Sequence, residues 1–287
     1  MRRNAVILAA GTSSRFIPLS QEFPKGLLEV KGEILVERQI RQLREAGISD
    51  ICLVVGYKAE MFQYLKEKFG VKLVFNEDFA RYNNTSSMIR VLNWLSDTFI
   101  CSSDNYFPMN VFEGDPIQSY YSALYASGAT SEYCIKTGGD DRIIDVGIGG
   151  SNSWYMVGHV YFSRDFSEKF KSLLSEEYQK EETRLGYWED VYIKHINDLP
   201  PMKINRYEIG DIMEFDTLDE LRKFDASYID YTRSQTIKDI ANRLGCREGE
   251  LIGFHKLSGK NDFIRFSFIR NDEEYVFDSN TDILTRI

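Results

Sequence analysis

The chain has 287 residues, of which 43% are hydrophobic and 28% charged, a globular balance that excludes collagen-like and wholly disordered proteins. Its formal net charge of −9 argues against a nucleic-acid-binding protein, which would carry a basic face. No apolar run approaches the ~18–20 residues of a membrane helix, and the run 5–10 is too short for a signal-peptide core. The four cysteines are scattered without a C-x-x-C pair, which favours a reducing compartment. We therefore expect a cytoplasmic protein with neither nucleic-acid nor membrane partners.

Short apolar runs alternate with helical patterns in the first hundred residues. The runs typical of strands buried on both faces are 4–10, 51–55, 71–75 and 98–101, and the segments with helical spacing are 33–46, 59–69 and 86–95. This alternation predicts an α/β fold with a doubly wound, mostly parallel (mixed) sheet. Because ligands of such sheets bind beyond the carboxyl ends of the strands, the residues that follow each strand are the informative ones.

The second half of the chain is less regular. Its predicted elements are strands near 132–136 and 155–162, helices over 164–178, 187–197 and 217–228, and an extended segment 202–209. A change of composition after Tyr231 places a boundary near 230, so we expect a domain 1–230 and a small α+β appendage 231–287. The appendage is predicted to contain a helix 234–244 and two strands, 263–269 and 274–277, joined by a hairpin turn. At about 55 residues it is marginal as an independent domain, and we expect it to pack on the body.

A loop of small residues follows the first strand. It reads Leu8-Ala-Ala-Gly-Thr-Ser-Ser-Arg15, and Phe23-Pro-Lys-Gly-Leu-Leu28 comes shortly after. Backbone N–H groups of such a loop can hold phosphate oxygens, and Arg15 and Lys25 add positive charge. The loop is neither a P-loop nor a dinucleotide fingerprint. A tight turn beside two solvated basic residues is the alternative interpretation.

With these motifs the N-terminal half resembles the sugar-nucleotidyltransferase superfamily, whose signature is A-A-G-x-G-x-R followed by P-K. Ser13 replaces the second glycine, which is needed only where the backbone takes a positive φ. Within that superfamily, residues 4–229 are most similar to the bacterial CTP:phosphocholine cytidylyltransferases. The further matching blocks are Val54–Tyr57, Leu73–Asn76, Tyr82–Asn84 and Asp104–Tyr106. The resemblance implies a Rossmann-like nucleotidyltransferase fold, Arg15 and Lys25 as catalytic residues, and nucleotide contacts from Ala10, Gly11, Thr12, Ser13 and Ser103.

Two aspartates are candidate ligands of Mg²⁺. Asp104 directly follows a buried strand, from where a carboxylate can hold an ion that bridges nucleotide phosphates. The resemblance implies Asp104 as the first ligand and Asp216, just before the helix 217–228, as the second, with Glu214 as the fallback. A turn or cap role for Asp104 and an N-cap role for Asp216 remain alternatives.

The segment Arg81–Ser87 precedes a predicted helix, at the point where related enzymes read the nucleotide base. Asn84 is a candidate because an amide can both donate to and accept from a cytosine edge, and Ser86 is the second candidate. Both residues can equally serve as helix caps.

Aromatic and acidic side chains of the second half are candidates for binding the acceptor. A trimethylammonium group cannot donate a hydrogen bond, so it is recognised by ring faces and a nearby carboxylate. The segment Tyr187-Trp-Glu-Asp190 is the best local candidate, which makes Tyr187, Trp188, Glu189 and Asp190 predicted contacts. Tyr133 and Trp154 are further candidates, and core packing is the alternative for each ring.

The resemblance thus implies an enzyme that transfers the cytidylyl group of CTP to phosphocholine, giving CDP-choline and pyrophosphate, with Mg²⁺ as cofactor. A phosphate monoester is already an anionic nucleophile, so the three histidines receive no role. The alternatives are the same transfer to phosphoethanolamine, 2-aminoethylphosphonate or a sugar 1-phosphate, and a non-catalytic nucleotide sensor or scaffold. Residues 250–277 resemble the opening of a choline-kinase N-lobe but show no H-x-D-x-x-x-x-N loop, so we expect a truncated kinase fusion or a packing appendage.

Overall fold

The computed structural model describes residues 3–260 and 263–287. Its strands are β1 (Asn4–Ala9), β2 (Glu29–Val30), β3 (Glu33–Ile34), β4 (Asp50–Val55), β5 (Lys72–Phe75), β6 (Thr98–Ser102), β7 (Asn105–Tyr106), β8 (Tyr120–Thr137), β9 (Ile143–Phe162), β10 (Lys203–Arg206), β11 (Met213–Glu214), β12 (Ile252–Lys260), β13 (Phe263–Arg270), β14 (Glu273–Asp278) and β15 (Ile283–Arg286). Its α-helices are α1 (Leu19–Glu22), α2 (Leu35–Glu45), α3 (Tyr64–Phe69), α4 (Thr85–Arg90), α5 (Arg164–Glu177), α6 (Glu181–Leu185), α7 (Trp188–Lys194), α8 (Leu218–Phe224) and α9 (Gln235–Leu244). Single 3₁₀ turns span Lys25–Leu27, Ala59–Phe62, Leu92–Trp94, Ala226–Tyr228 and Glu248–Glu250. None of the described helices is long and apolar enough to cross a membrane.

The described residues form two compact units. The first contains the residues up to Gly11 together with Leu35–Glu214, and the second contains Thr12–Ile34 together with Phe215–Ile287. The second unit therefore holds the loop 12–34 and residues 215–230 besides the predicted appendage 231–287. The boundary near residue 230 stays a prediction.

The first unit is built on a seven-stranded sheet with the order β10-β8-β9-β6-β1-β4-β5. β1 pairs in parallel with both β4 and β6, while β9 runs antiparallel to β6 and to β8. The central position of β1 explains its apolar sequence, because Ala5, Val6 and Ile7 are fully buried. The predicted mixed, mostly parallel sheet is confirmed.

Strands β8 and β9 are much longer than predicted. They pair from Tyr120 opposite Tyr161 to Thr137 opposite Ile143, with several irregularities in the register. Much of this hairpin is exposed and its second strand is rich in glycine and serine, so it lacks the continuous apolar run by which a strand is recognised in sequence. The sequence therefore predicted only the segments near 132–136 and 155–162.

The helices of the first unit begin and end close to the predicted positions, but two of them are divided. The predicted helix 59–69 is the 3₁₀ turn Ala59–Phe62 followed by α3, and the predicted helix 86–95 is α4 followed by the turn Leu92–Trp94. An aromatic core packs α5 and α7 together, in which Phe162, Phe166 and Phe170 are fully buried. This core fixes α7, whose first turn contains Trp188, Glu189 and Asp190 of the predicted acceptor segment.

The second unit contains a four-stranded antiparallel sheet with the order β12-β13-β14-β15. The predicted hairpin turn is confirmed, since Asn271 and Asp272 both take a positive φ between β13 and β14, as a two-residue hairpin loop requires. Helix α9 ends at Gly245, whose left-handed conformation is typical of a helix C-terminus. Short strands β2 and β3 form a hairpin at the end of the loop 12–34.

Candidate active site

The small-residue loop leaves the carboxyl end of β1 and turns sharply. The carbonyl oxygen of Ala10 accepts a hydrogen bond from the backbone N–H of Tyr57 at 3.1 Å, and Gly11 and Thr12 are exposed. Ser13 takes φ +49°, and its carbonyl oxygen accepts from the N–H of Phe16 at 2.9 Å. The loop thus adopts at Ser13 the conformation in which glycine is favoured, and serine holds it at a cost of about 1–2 kcal/mol.

Both predicted catalytic cations contact the same carboxylate in the second unit. Arg15 Nη1 lies 2.8 Å from Asp216 Oδ2, and Lys25 Nζ lies 3.4 Å from Asp216 Oδ1. The Lys25 side chain is only 6% exposed, whereas that of Arg15 is 73% exposed. A buried ammonium group needs a nearby anion, and Asp216 supplies it. The structure therefore brings together Arg15, Lys25 and Asp216.

Asp216 is not the N-cap of α8. That position is taken by Thr217, whose hydroxyl accepts from the N–H of Glu220 at 3.2 Å, while the Glu220 carboxylate accepts from the N–H groups of Thr217 and Asp216 at 3.1 and 2.7 Å. This capping box provides hydrogen-bond partners for the N–H groups at the start of α8 and does not use the side chain of Asp216. The carboxylate of Asp216 is therefore left to face the two cations.

Asp104 lies in the first unit, directly beyond β6. Ser102 donates its hydroxyl to Asp104 Oδ1, and the backbone N–H of Ser103 donates to the carbonyl oxygen of Leu8 at 3.1 Å. The next residue, Asn105, pairs with Glu214 across β7 and β11, and its amide donates to the Glu214 carboxylate at 3.3 Å. Glu214, the predicted fallback ligand, therefore lies in the same part of the first unit as Asp104.

These carboxylates fit a Mg²⁺ ion in the chemistry of their donor atoms. Mg²⁺ prefers oxygen ligands and is usually held by one or two carboxylates, with substrate phosphates and waters completing its shell. Within the described ranges no group of three or more His, Cys, Asp or Glu side chains forms an all-protein metal site. Asp104 and Glu214 in the first unit and Asp216 in the second each offer oxygen donors of this kind.

The two predicted base-reading residues bond to protein groups. Asn84 Oδ1 accepts from the N–H of Trp188 at 2.9 Å, and Asn84 Nδ2 donates to Glu189 at 3.3 Å, so this side chain joins α4 to the start of α7. Ser86 is fully buried, accepts from the amide of Asn76 at 2.8 Å and donates to a backbone carbonyl at 2.7 Å. Ser86 is therefore a core residue, and the prediction that its side chain reads the base is not supported.

Two predicted acceptor-binding rings meet at nearly a right angle. The ring centroids of Tyr133 and Tyr187 are 6.3 Å apart at 83°. Asp190 fixes both residues, because its carboxylate accepts from the Tyr133 hydroxyl and from the Tyr187 N–H, each at 2.8 Å. Tyr187 is 45% exposed, so a ligand can reach its ring. Tyr133, Tyr187 and Asp190 form an aromatic and acidic corner of the kind that binds an organic cation.

Glu189 directly precedes Asp190 of this corner and is less exposed than Asp190. The hydroxyl of Tyr121 donates to Glu189 Oε1 at 3.1 Å, in addition to the bond from Asn84. Burial raises the pKa of Glu189 to about 7, and the charge of Asp190 acts in the same direction, while the two hydrogen bonds oppose the shift. Tyr121 was absent from the predicted site because the beginning of β8 gave no strand signal.

The rings of Trp188 and Trp154 both contact other side chains of the protein. Trp188 is 2% exposed, stacks on Tyr121 with ring centroids 6.0 Å apart, and meets Phe162 and Phe170 edge to face. Its ring packs in the core, which is the alternative given for it above, and its contact with the acceptor stays a prediction. Trp154 already has the guanidinium of Arg206 over its ring at 5.3 Å.

Of the histidines, His159 is buried among aromatic rings, and burial lowers its pKa to about 3. It is therefore neutral at physiological pH. His195 bonds to Glu177 and Asp198 at 3.1 and 3.0 Å. These are structural contacts, in keeping with the absence of a histidine from the predicted chemistry.

Comparison with known proteins identifies the relatives of this chain. Residues 5–132 match the MobA-like NTP transferase domain. The choline-phosphate cytidylyltransferase of Streptococcus pneumoniae is 34% identical over 221 residues, which cover 77% of this chain and 96% of that protein. The 2-aminoethylphosphonate cytidylyltransferase of Lancefieldella rimae is 34% identical over 237 residues, covering 81% of this chain and 96% of the relative.

The fold agrees with this relationship. The structure of the CTP:phosphocholine cytidylyltransferase from S. pneumoniae superimposes with a TM-score of 0.76 at 34% identity, covering 79% of this chain and 99% of that one. Sequence and fold thus point to the same group of enzymes. The chain belongs to the cytidylyltransferase family of the nucleotidyltransferases.

Proposed function

We propose that this enzyme transfers the cytidylyl group of CTP to phosphocholine and releases pyrophosphate. The corner formed by Tyr133, Tyr187 and Asp190 carries the choice of acceptor, because two ring faces and a carboxylate suit a trimethylammonium group. The names of the relatives from S. pneumoniae support the same reaction.

In the proposed reaction a phosphate oxygen of phosphocholine attacks the α-phosphorus of CTP in line. The new bond joins that oxygen to the α-phosphorus, and the bond from the α-phosphorus to the bridging oxygen breaks, so the electron pair leaves with pyrophosphate. Such a transfer depends on positioning and on the stabilisation of negative charge. The acceptor phosphate is anionic, so no side chain has to remove a proton from it.

Arg15 and Lys25 supply the positive charge in this proposal. Both cations face Asp216, and a triphosphate would offer them stronger anionic partners. The backbone N–H groups of the exposed residues Gly11 and Thr12 are the proposed backbone contacts. When bound, Mg²⁺ would neutralise phosphate charge, and Asp104, Asp216 and the alternative Glu214 remain the proposed ligands.

A second acceptor, 2-aminoethylphosphonate, is supported by the equally similar relative from L. rimae. A primary ammonium group needs hydrogen-bond acceptors more than ring faces. Each oxygen of Asp190 already accepts one bond, which leaves fewer acceptor positions for such a group, and the raised pKa of Glu189 leaves part of its population uncharged at neutral pH. This corner therefore favours the trimethylammonium group.

The test is pyrophosphate release from four nucleoside triphosphates combined with phosphocholine, phosphoethanolamine, 2-aminoethylphosphonate and a sugar 1-phosphate. We expect CTP with phosphocholine to give the highest kcat/KM. A higher value with 2-aminoethylphosphonate would assign the other acceptor. Calorimetric binding of CTP without pyrophosphate release under any combination would instead support a nucleotide sensor.

A further inference from the structure

The loop 12–34 is bonded to the start of α9 through Glu22, the last residue of α1. The carboxylate of Glu22 accepts from the hydroxyl of Ser234 at 2.6 Å and from the N–H groups of Gln235 and Thr236 at 2.8 and 3.1 Å. An anion is favoured there because the first N–H groups of a helix have no partner within the helix and its dipole is positive at this end. Glu22 is therefore held by three donors from one helix start.

This contact lies next to a proposed catalytic residue. Only Phe23 and Pro24 separate Glu22 from Lys25, so the two Cα atoms are at most about 10 Å apart. The short connection is itself ordered, because the N–H of Phe23 donates to the carbonyl oxygen of Leu19 at 2.9 Å and Pro24 restricts its own φ. The position of Lys25 therefore follows that of Glu22.

The same loop is held a second time beyond Lys25. The hydroxyl of Tyr228 donates to the carbonyl oxygen of Glu29 at 2.7 Å, and Arg233 lies 3.3 Å from the Glu29 carboxylate. The N–H of Lys31 donates to Asp225 at 2.7 Å. The loop is thus tied to residues within 225–236 on both sides of Lys25.

We propose that Glu22 and the first turn of α9 position Lys25 for nucleotidyl transfer. Glu22 is a positioning residue, since it acts through the loop and not on CTP. The inference rests on the proposed function, and it gives the predicted appendage 231–287 a part in the reaction beyond packing.

Glu248 offers a matched control for Glu22. Its carboxylate accepts from the N–H and hydroxyl of Thr232 at 2.7 and 2.6 Å, so it holds the chain two residues before Ser234, and among the described residues it makes no side-chain bond to the loop 12–34. Glu22→Gln and Glu248→Gln remove the same charge from bonds of the same kind. We expect both to lower Tm by a similar amount.

Only Glu22→Gln is expected to slow the reaction. Its kcat/KM for CTP should fall about tenfold, shared between a lower kcat and a severalfold weaker binding of CTP, because the contact of Lys25 with the triphosphate depends on where Lys25 lies both in the bound state and in the transition state. In the background of Lys25→Ala, adding Glu22→Gln should cost no further activity. Normal turnover of Glu22→Gln, or an equal loss in Glu248→Gln, overturns the proposal. If Glu22→Gln does not fold, Ser234→Ala removes one of the three donors and should show a smaller effect in the same direction.

Calorimetry separates this inference from the proposed function. If the wild-type protein binds CTP but releases no pyrophosphate, the proposed function fails, and the affinity for CTP decides the inference. Positioning then requires a severalfold higher Kd for CTP in Glu22→Gln than in Glu248→Gln, and equal Kd values refute it. A wild-type protein that does not bind CTP overturns both.

Discussion

We expect Glu189 to set the pH dependence of acceptor binding, because it directly precedes Asp190 of the corner that is proposed to hold the quaternary ammonium group. Burial raises the pKa of Glu189 to about 7, and a cation binds better to its ionised form. With that pKa, about a tenth of the carboxyls are ionised at pH 6 and about nine tenths at pH 8. The KM for phosphocholine should therefore be about tenfold higher at pH 6 than at pH 8 from this group alone.

The assay is pyrophosphate release at saturating CTP between pH 5.5 and 8.5, compared between wild type and Glu189→Gln. The acceptor phosphate titrates in the same range, but it does so equally with both proteins, so the difference between the two profiles belongs to Glu189. Parallel KM profiles for wild type and Glu189→Gln would refute the reasoning. Affinity for CTP, measured in the same series, serves as the control.

Glu189 should also affect how the free energy of unfolding of the protein, measured without ligands, depends on pH. The folded state binds the Glu189 proton more tightly than the unfolded state, whose pKa is near the ordinary 4.5. The free energy of unfolding should therefore decrease as the pH rises from about 4.5 to about 7, and Glu189→Gln should remove this part of the decrease. Urea unfolding at several pH values measures it.

Three further substitutions, with Ser14→Gly as a control for one of them, test individual assignments. Lys25→Ala should lower kcat at least about a hundredfold with an unchanged circular dichroism spectrum, because it removes a charge contact of the transition state, and near-normal turnover would exclude Lys25 from the mechanism. Ser13→Gly should raise the free energy of unfolding by up to about 1 kcal/mol, because glycine adopts the positive φ of this position without strain. Ser14→Gly is the control: Ser14 does not have a positive φ, so this change should lower the free energy of unfolding by about 0.5–1 kcal/mol. Chemical unfolding measures both. Trp188→Ala should destabilise the fold by about 3–5 kcal/mol, as measured by chemical unfolding, because the ring is buried. An unchanged stability together with a lost affinity for phosphocholine would instead show that Trp188 contacts the acceptor.

The sequence predicted the parallel part of the sheet well because a strand buried on both faces consists of an unbroken run of apolar residues. β1 and β4 are of this kind, and their predicted bounds agree with the observed ones to within about a residue. The hairpin β8–β9 has one exposed face over much of its length and irregular pairing, so its pattern is weak. Isolated two-residue strands such as β7 and β11 carry no periodicity at all.

Proximity in sequence was an unreliable guide at the acceptor segment. Tyr187 and Trp188 are neighbours, but Trp188 opens α7 and turns into the aromatic core while Tyr187 precedes the helix and remains exposed. The partner ring, Tyr133, comes from β8, and Tyr121 reaches Glu189 from the start of the same strand. Such contacts depend on tertiary packing, which neither residue type nor spacing specifies.

The cluster of Arg15, Lys25 and Asp216 shows why a single substitution at Asp216 is difficult to interpret. Asp216 is an anion beside the buried ammonium of Lys25, so removing it weakens the compensation of that charge. The same carboxylate is a proposed ligand of Mg²⁺, and an ion bound there would compete with the two cations for its oxygens. A loss of activity on Asp216→Asn therefore follows from either role. The roles differ in their dependence on the metal, since only a lost ligand raises the Mg²⁺ concentration that gives half-maximal activity.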